Sequence, residues 1–160
     1  MNWPHIHLLL NHAPLFGTIV GTTFLAAAIL RNYHLIRPAL YVLVLSGLAA
    51  IVVYLTGEPA ADALVSVPEG LVDRHEDMAG ITIVATSLAG VMALIALIVD
   101  RRFPALTRWM NGAVLALALG ASGLLAWTAN LGGQIQHPEA RGRAVAPGTN
   151  APGVEEPGRR

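Results

Sequence analysis

Histidines are the residues of this sequence whose type and placement point most directly to chemistry, because a neutral imidazole binds metal ions and haem iron. The 160-residue chain contains six histidines, no cysteine and no lysine. Three of them, His5, His7 and His12, lie close together in the stretch WPHIHLLLNHAP. Two more, His75 and His137, lie in segments that are distant in sequence. A fold that gathers these five side chains would create a metal or haem site.

Spacing separates the three N-terminal histidines. His5 and His12 are seven residues apart, so a helix would place them on one face, whereas His7 would point elsewhere. His12 is the deepest of the three, about two turns below the expected helix start. An ionisable residue inside a membrane span is a functional hypothesis by default, so His12 is the first candidate ligand.

The first hypothesis for the site is a single b-type haem held by His12 and His75. Bis-imidazole ligation requires two neutral histidines from opposed helices, each with its second ring nitrogen bonded to an acceptor. His75 is expected in the first turn of its helix, where the helix dipole favours the neutral imidazole. The carboxylates of Glu58, Glu76 and Asp77 could orient the ring N–H groups.

The second hypothesis is a non-haem site for a copper, zinc or iron ion. Its candidate ligands are the clustered histidines: His12, His75, His137, His7 and His5. Imidazole nitrogens with a carboxylate such as Glu76 suit these metals. The spacing of Asn130, Gln134 and His137 predicts a polar stripe that could support such a site. The sequence contains no H-E-x-x-H spacing, which argues against a hydrolase.

A third interpretation assigns the histidines no chemistry. Histidines at a membrane interface also contact lipid headgroups and water, and the protein would then be a non-catalytic assembly subunit of a larger membrane complex. His34 is expected to be an ordinary loop residue. The lack of cysteine excludes disulfides, thiolate metal sites and iron–sulfur clusters. The sequence shows no nucleophile–base arrangement, phosphate loop or nucleic-acid-binding patch.

Composition places these residues in a membrane protein. Hydrophobic residues make up 54% of the chain and charged residues 12%, against about a quarter charged in soluble domains. Four stretches contain no Asp, Glu, Lys, Arg or His: Ala13–Leu30, Pro38–Gly57, Met78–Val99 and Trp109–Gln136. Each reaches or approaches the roughly 20 residues that a helix needs to cross a bilayer. We predict an all-α membrane protein with four spans in a lipid bilayer.

Arginines predict the orientation of these spans. The first and third connections between them are rich in arginine: Arg31, Arg37, Arg101, Arg102 and Arg108. The second connection is acidic and holds Arg74 alone. The positive-inside rule therefore places the first and third connections in the cytoplasm, and the opposite side would be a periplasm if the source is a Gram-negative bacterium. Both termini and five of the six histidines would then face the periplasm.

The predicted architecture is an antiparallel four-helix bundle over residues 1–137, followed by a flexible periplasmic tail at 138–160. The spans are expected at about 5–30, 38–57, 75–99 and 106–131, joined by short connections that pack neighbouring helices side by side. The longer connection, Glu58–Asp77, is expected to fold over the mouth of the bundle because its apolar residues need a surface to cover.

Local signals refine this architecture. Asn2 and Pro4 suit a capped start of the first helix, and the Asp73-x-x-Glu76 pattern predicts a capped start of the third span. Small residues spaced four apart predict close helix packing in lipid. They form two series: Gly17 and Gly21, then Gly112, Ala116 and Gly120.

Four stretches, WPHIHLLLNHAP, TGEPA, RHEDMA and NLGGQIQHPE, together resemble an uncharacterised bacterial family of four-span inner-membrane proteins with the motifs WPHxHLLLNHxP and NLGGQIxH. The likeness covers about residues 1–140 and implies four spans with these motifs on one side. Its histidine-bearing motifs fall on the five clustered histidines: His5, His7, His12, His75 and His137. The layout is also similar to small membrane b-type cytochromes, in which histidines from two helices ligate haem. No helix carries histidines at both depths, so two stacked haems are not expected.

The expected function is therefore a redox or electron-transfer subunit instead of a stand-alone enzyme. Such a subunit would pass electrons between a periplasmic donor and quinone or a larger respiratory or oxidoreductase complex. We expect no nucleic-acid partner.

Overall fold

The computed structural model describes residues 2–31, 33–64, 67–100 and 103–137, and the predicted tail at 138–160 lies outside the described residues. The described chain is helical throughout, with six α-helices and one short 3-10 helix. In chain order they are α1 (Trp3–Leu10), α2 (His12–Leu30), a 3-10 helix (Tyr33–Leu35), α3 (Ile36–Leu55), α4 (Gly57–Asp62), α5 (Glu69–Val99) and α6 (Pro104–Gln136).

Four helical stretches are long and apolar enough to cross a membrane. They are Trp3–Leu30, which joins α1 and α2, then Tyr33–Asp62, Glu69–Val99 and Leu106–Gln136. The helices pack in a closed ring, because α2 contacts α3, α3 contacts α5, α5 contacts α6, and α6 returns to α2. The predicted antiparallel four-helix membrane bundle is confirmed.

Small residues dominate the contacts between these helices. The buried apolar core combines a few leucines with alanines from every span: Leu25, Ala28, Ala39, Leu40, Leu43, Ala93, Ala96, Val114 and Ala118. Gly47 of α3 and Gly90 of α5 cross closely, since a Cβ added to either would lie 3.2 Å from the Cα of the other. Van der Waals packing of this kind drives helix association in lipid.

Only one of the two predicted series of small residues packs closely against a neighbouring helix in the described bundle. Gly17 and Gly21 of α2 pack closely against Ser46 and Leu43 of α3, so the predicted close packing is confirmed there. The series on α6 is exposed, and a Cβ added to Gly112 or Gly120 would meet no neighbouring atom within 4 Å. The described bundle therefore does not use the α6 series for packing.

The connection predicted at Glu58–Asp77, which was expected to fold over the mouth of the bundle, is mostly helical in the structure. Its first part forms the short helix α4, which packs against α1, and its second part already belongs to α5. Helix α5 begins at Glu69 with Pro68 as its N-cap residue and no side-chain cap. The predicted Asp73–Glu76 capping box is wrong, because both residues already lie within the helix.

One end of the bundle collects the histidine-bearing segments. We call the part formed by α1, α4, the first turns of α5 and the last turns of α6 the histidine end. Asn2 is the N-cap of α1 and accepts a hydrogen bond from the backbone N–H of His5, with proline in the first turn, as predicted. Helix α6 continues through Gly132 and Gly133 to Gln136, so its last turns reach this end intact.

Candidate functional site

Two histidines from distant parts of the chain meet at the histidine end. The ring centroids of His7 in α1 and His75 in α5 are 6.5 Å apart, and the ring planes lie at 86° to each other. Both side chains are partly buried. We call these two side chains the His7–His75 pair.

A threonine at the junction of α3 and α4 orients the first imidazole. Nδ1 of His7 lies 3.0 Å from Oγ1 of Thr56. The same hydroxyl donates its hydrogen to the carbonyl oxygen of Val53 at 2.7 Å, so towards His7 it acts as the acceptor. Nδ1 of His7 therefore carries the proton, and Nε2 is its unprotonated nitrogen.

The second imidazole is oriented in the same way by α6. Nδ1 of His75 donates to the carbonyl oxygen of Thr128 at 3.1 Å. A carbonyl oxygen accepts only, so Nδ1 again carries the proton. The hydroxyls of Thr128 and Thr82 are hydrogen-bonded at 2.8 Å, which ties this part of α6 to α5. Both rings thus have a hydrogen-bonded Nδ1–H, and Nε2 is the unprotonated nitrogen of each ring.

Glycines lie against both rings, and at Gly132 the ring of His75 leaves little room for a side chain. A Cβ added to Gly132 of α6 would lie 3.1 Å from Cε1 of His75, and one added to Gly57 of α4 would lie 3.7 Å from Cε1 of His7. A side chain at Gly132 would therefore press on His75. The His7–His75 pair and its neighbours come from four of the stretches quoted above: His7 from WPHIHLLLNHAP, Gly57 from TGEPA, His75 from RHEDMA and Gly132 from NLGGQIQHPE.

The separation of the two rings can be compared with that of two imidazoles bound to one metal atom. A metal–imidazole bond is about 2 Å long, so two imidazoles on opposite sides of one metal place their ring centroids about 6 Å apart. The observed separation is 6.5 Å. Metal-bound histidines commonly donate their second ring N–H to a carbonyl or another acceptor, as both rings do here.

His12, the first candidate from the sequence, is placed differently. Its side chain is exposed, its ring stacks on Phe16 with centroids 5.9 Å apart, and its Nδ1 donates to the carbonyl oxygen of Leu8 at 2.8 Å. The ring contact of His75 is with His7, as described above. The proposed His12–His75 ligation stays a prediction, while the structure brings His7 to His75 instead.

The other two candidate histidines lie nearer the chain ends. His5 is exposed, and its Nδ1 is hydrogen-bonded to the amide oxygen of Asn2. His137 is the exposed C-cap residue of α6, where its backbone N–H donates to the carbonyl oxygen of Gly133 at 2.9 Å. Across the described ranges, no group of three or more His, Asp or Glu side chains is arranged to hold a metal ion.

The predicted supporting residues also lie at the histidine end. The carboxylate-bearing side chains of Glu58, Glu76 and Asp77 are exposed. Asn130 and Gln134 of α6 form the predicted polar stripe, with Nε2 of Gln134 donating to Oδ1 of Asn130 at 2.8 Å. The hydrogen bonds that orient the imidazoles come from Thr56 and Thr128 instead. Sequence reasoning missed the role of these threonines, although Thr56 begins the quoted stretch TGEPA and Thr128 lies two residues before NLGGQIQHPE.

Comparison with known proteins adds no relative from which a role could be read. No family model, no curated protein and no solved structure matches the chain. The interpretation of the histidine end rests on the geometry of the His7–His75 pair.

Proposed function

We propose that this protein is a membrane redox subunit that binds one b-type haem between His7 and His75. The observation that carries the proposal is their meeting at 6.5 Å with both Nδ1 atoms hydrogen-bonded, which leaves both Nε2 atoms for iron. His7 takes the ligand position that the sequence suggested for His12.

The number of converging imidazoles favours haem over a bare metal ion. Haem iron receives four nitrogens from its porphyrin and needs two axial ligands from the protein. Four-coordinate protein metal sites take three or four side chains. Two imidazoles, each with its Nδ1–H hydrogen-bonded to the protein, therefore match the two axial ligands that haem iron requires.

The proposed role is electron transfer within a larger membrane assembly. A bis-histidine haem has no open coordination position for a substrate, so it suits passing electrons better than transforming a molecule. We propose that the histidine end faces the periplasm of a bacterial inner membrane and that both termini lie there, because the arginine-rich connections lie at the other end. A periplasmic electron donor or a respiratory complex would be the partner.

Visible absorption of the purified protein tests the haem. Protein produced with haem available and purified in detergent should show a Soret band and a sharp α-band on reduction. His7→Ala and His75→Ala should each abolish this spectrum while still inserting into the membrane. His34→Ala is the matched control and should keep it.

His12→Ala separates the two possible ligand pairs. If His7 and His75 are the ligands, His12→Ala keeps the wild-type spectrum. Loss of the spectrum in His12→Ala but not in His7→Ala would overturn the assignment of His7. A colourless protein would overturn the haem proposal. Elemental analysis would then show whether copper, zinc or iron binds instead. A protein without bound metal would favour the interpretation as an assembly subunit.

A further inference from the structure

The middle of the bundle contains inward-facing hydroxyl side chains from all four spans. They are buried or partly buried, and we call them the hydroxyl layer: Thr18 and Thr22 of α2, Ser46 of α3, Thr82 and Thr86 of α5, and Ser122 and Thr128 of α6. The hydrocarbon core of a bilayer supplies no water to such groups, so each hydroxyl needs a partner inside the protein.

Five members of the hydroxyl layer have partners within the protein. Three donate to the carbonyl oxygen four residues earlier in their own helix, at 2.6 to 2.8 Å: Thr22, Ser46 and Ser122. The other two, Thr82 and Thr128, are hydrogen-bonded to each other across α5 and α6 at 2.8 Å.

Thr18 and Thr86 are the exceptions within the layer. Each residue is 1% exposed, and neither Oγ1 atom has a hydrogen-bond partner in the part of the chain that the structure describes. A threonine in a helix can donate to the carbonyl oxygen four residues earlier, as Thr22 does, but these two hydroxyls do not. An unpaired buried hydroxyl destabilises a fold, so both hydroxyls require a partner between the helices.

Two contacts fix the depth of α2 and α5 against α6. Oγ1 of Thr22 lies 3.4 Å from Oγ of Ser122, so these two residues share one depth in the bundle. The hydrogen bond between Thr82 and Thr128 marks a second depth, nearer the histidine end. Ser122 and Thr128 are six residues apart, so the two depths differ by about 9 Å.

Thr18 and Thr86 both lie between these two depths. Thr18 is one turn nearer the histidine end than Thr22, and Thr86 is one turn farther from it than Thr82. Four residues correspond to about 6 Å along a helix. The two unpaired hydroxyls therefore differ by only about 3 Å in depth.

The width of the bundle sets the gap between the two hydroxyls. Helices α2 and α5 face each other diagonally, because each packs against both α3 and α6. Neighbouring axes about 8–10 Å apart put diagonal axes about 11–14 Å apart. A threonine hydroxyl reaches about 4 Å from its helix axis, which leaves a gap of about 3–6 Å. A water molecule bonded at about 2.8 Å on either side bridges up to about 5.6 Å.

The chemistry of the layer suits water better than an ion. The apolar stretches that hold the layer contain no ionisable side chain, so a bound cation would have no carboxylate to compensate its charge. Water both donates and accepts hydrogen bonds, and a threonine hydroxyl does the same. Buried waters typically satisfy polar groups that lack protein partners.

We propose that one buried water molecule bridges Oγ1 of Thr18 and Oγ1 of Thr86 at the centre of the bundle. The bridge joins the diagonal helices α2 and α5. His75 lies eleven residues before Thr86, about three turns, so both residues are on the same face of α5. The water therefore also holds the helix rotation that turns His75 towards His7. This site does not depend on the proposed haem.

Contacts with water in the wild-type protein test the site directly. In lipid nanodiscs, protein with ¹³C-labelled threonine methyl groups should show nuclear Overhauser cross-peaks to water from Thr18 and Thr86. Thr23 of α2 is the matched control, because it is exposed and its hydroxyl donates to the carbonyl oxygen of Ile19 at 2.8 Å. Its methyl group faces lipid and should show no such cross-peak. Missing cross-peaks at Thr18 and Thr86 would overturn the proposal.

Valine substitutions test the bridge energetically, because valine keeps the shape of threonine and removes the hydroxyl. Thr18→Val or Thr86→Val leaves a buried partner unpaired, and each should raise the equilibrium constant for unfolding in dodecyl sulfate about 5- to 30-fold. The double variant should show less than the product of the two effects, because both sides of the bridge are gone. Thr23→Val should change the constant by less than about twofold.

Two further results would contradict the bridge. Single valine variants as stable as the wild type would show that the two hydroxyls are simply unpaired. Coupled valine effects without cross-peaks to water would show a direct bond between the two hydroxyls.

Discussion

Two hydrogen bonds decide how the imidazoles of His7 and His75 are oriented, and neither comes from a charged residue. The hydroxyl of Thr56 holds His7, and the carbonyl oxygen of Thr128 holds His75. Neutral acceptors suit the interior of a membrane protein because they need not be desolvated as a charge would be. The exposed acidic residues nearby could not provide this orientation without being buried.

Replacing the hydroxyl of Thr56 should weaken haem binding without unfolding the bundle. Thr56→Val keeps the shape of the side chain but removes the acceptor for Nδ1 of His7, and loss of such a partner typically costs about 10- to 100-fold in metal affinity. Haem titration followed at the Soret band measures this. Thr56→Ser keeps the hydroxyl and should bind haem as the wild type does. Equal affinity in both variants would contradict the assigned role.

Gly132 and Gly133 offer a matched pair of substitutions at adjacent positions. Gly132→Ala places a methyl group 3.1 Å from Cε1 of His75, so the ring must shift. Overpacking of this kind costs about 1–3 kcal/mol, and we expect reduced haem occupancy or a changed reduction potential. Gly133→Ala meets no neighbouring atom within 4 Å and should leave both unchanged. Identical spectra and potentials in the two variants would count against the position of His75.

At the scale of the helices, α3 and α5 depend on a glycine–glycine contact. A Cβ at Gly90 would lie 3.2 Å from the Cα of Gly47 and 3.3 Å from the carbonyl oxygen of Leu43. These are backbone atoms, so they can yield only if the helices separate. The contact explains why two spans approach closely at this point.

Gly90→Ala should therefore destabilise the bundle by about 1–3 kcal/mol. Thermal unfolding in detergent, followed by circular dichroism, measures the loss. Gly112→Ala adds the same methyl group to an exposed face of α6, where it meets no atom, and should not lower the stability. A Gly90→Ala protein as stable as Gly112→Ala would show that α3 and α5 do not pack as described.

At the scale of the whole molecule, the arginine-rich first and third connections lie opposite five of the six histidines, and this predicts the orientation in the membrane. Alkaline phosphatase fused after Arg160 should be active, because both termini are expected in the periplasm. The same enzyme fused after Phe103, in an arginine-rich connection, should be inactive. The reverse pattern would invert the protein and place the histidine end in the cytoplasm.

The sequence by itself determined the four spans, the capped start at Asn2 and the gathering of histidines at one end. Charge-free stretches of sufficient length and arginine-rich connections are read directly from residue types. It also determined that His5 and His12 share a helix face, because that depends only on their spacing of seven residues.

Only the tertiary structure decided which histidines meet. In lipid, the outward and inward faces of a span are both apolar, so hydropathy does not show how each helix is rotated about its axis. The pairing of His7 with His75, the threonines that orient them and the clearance at Gly132 all depend on that rotation. Depth along the helix suggested His12, but the rotation of the helical stretch brings His7 to His75 and leaves His12 exposed.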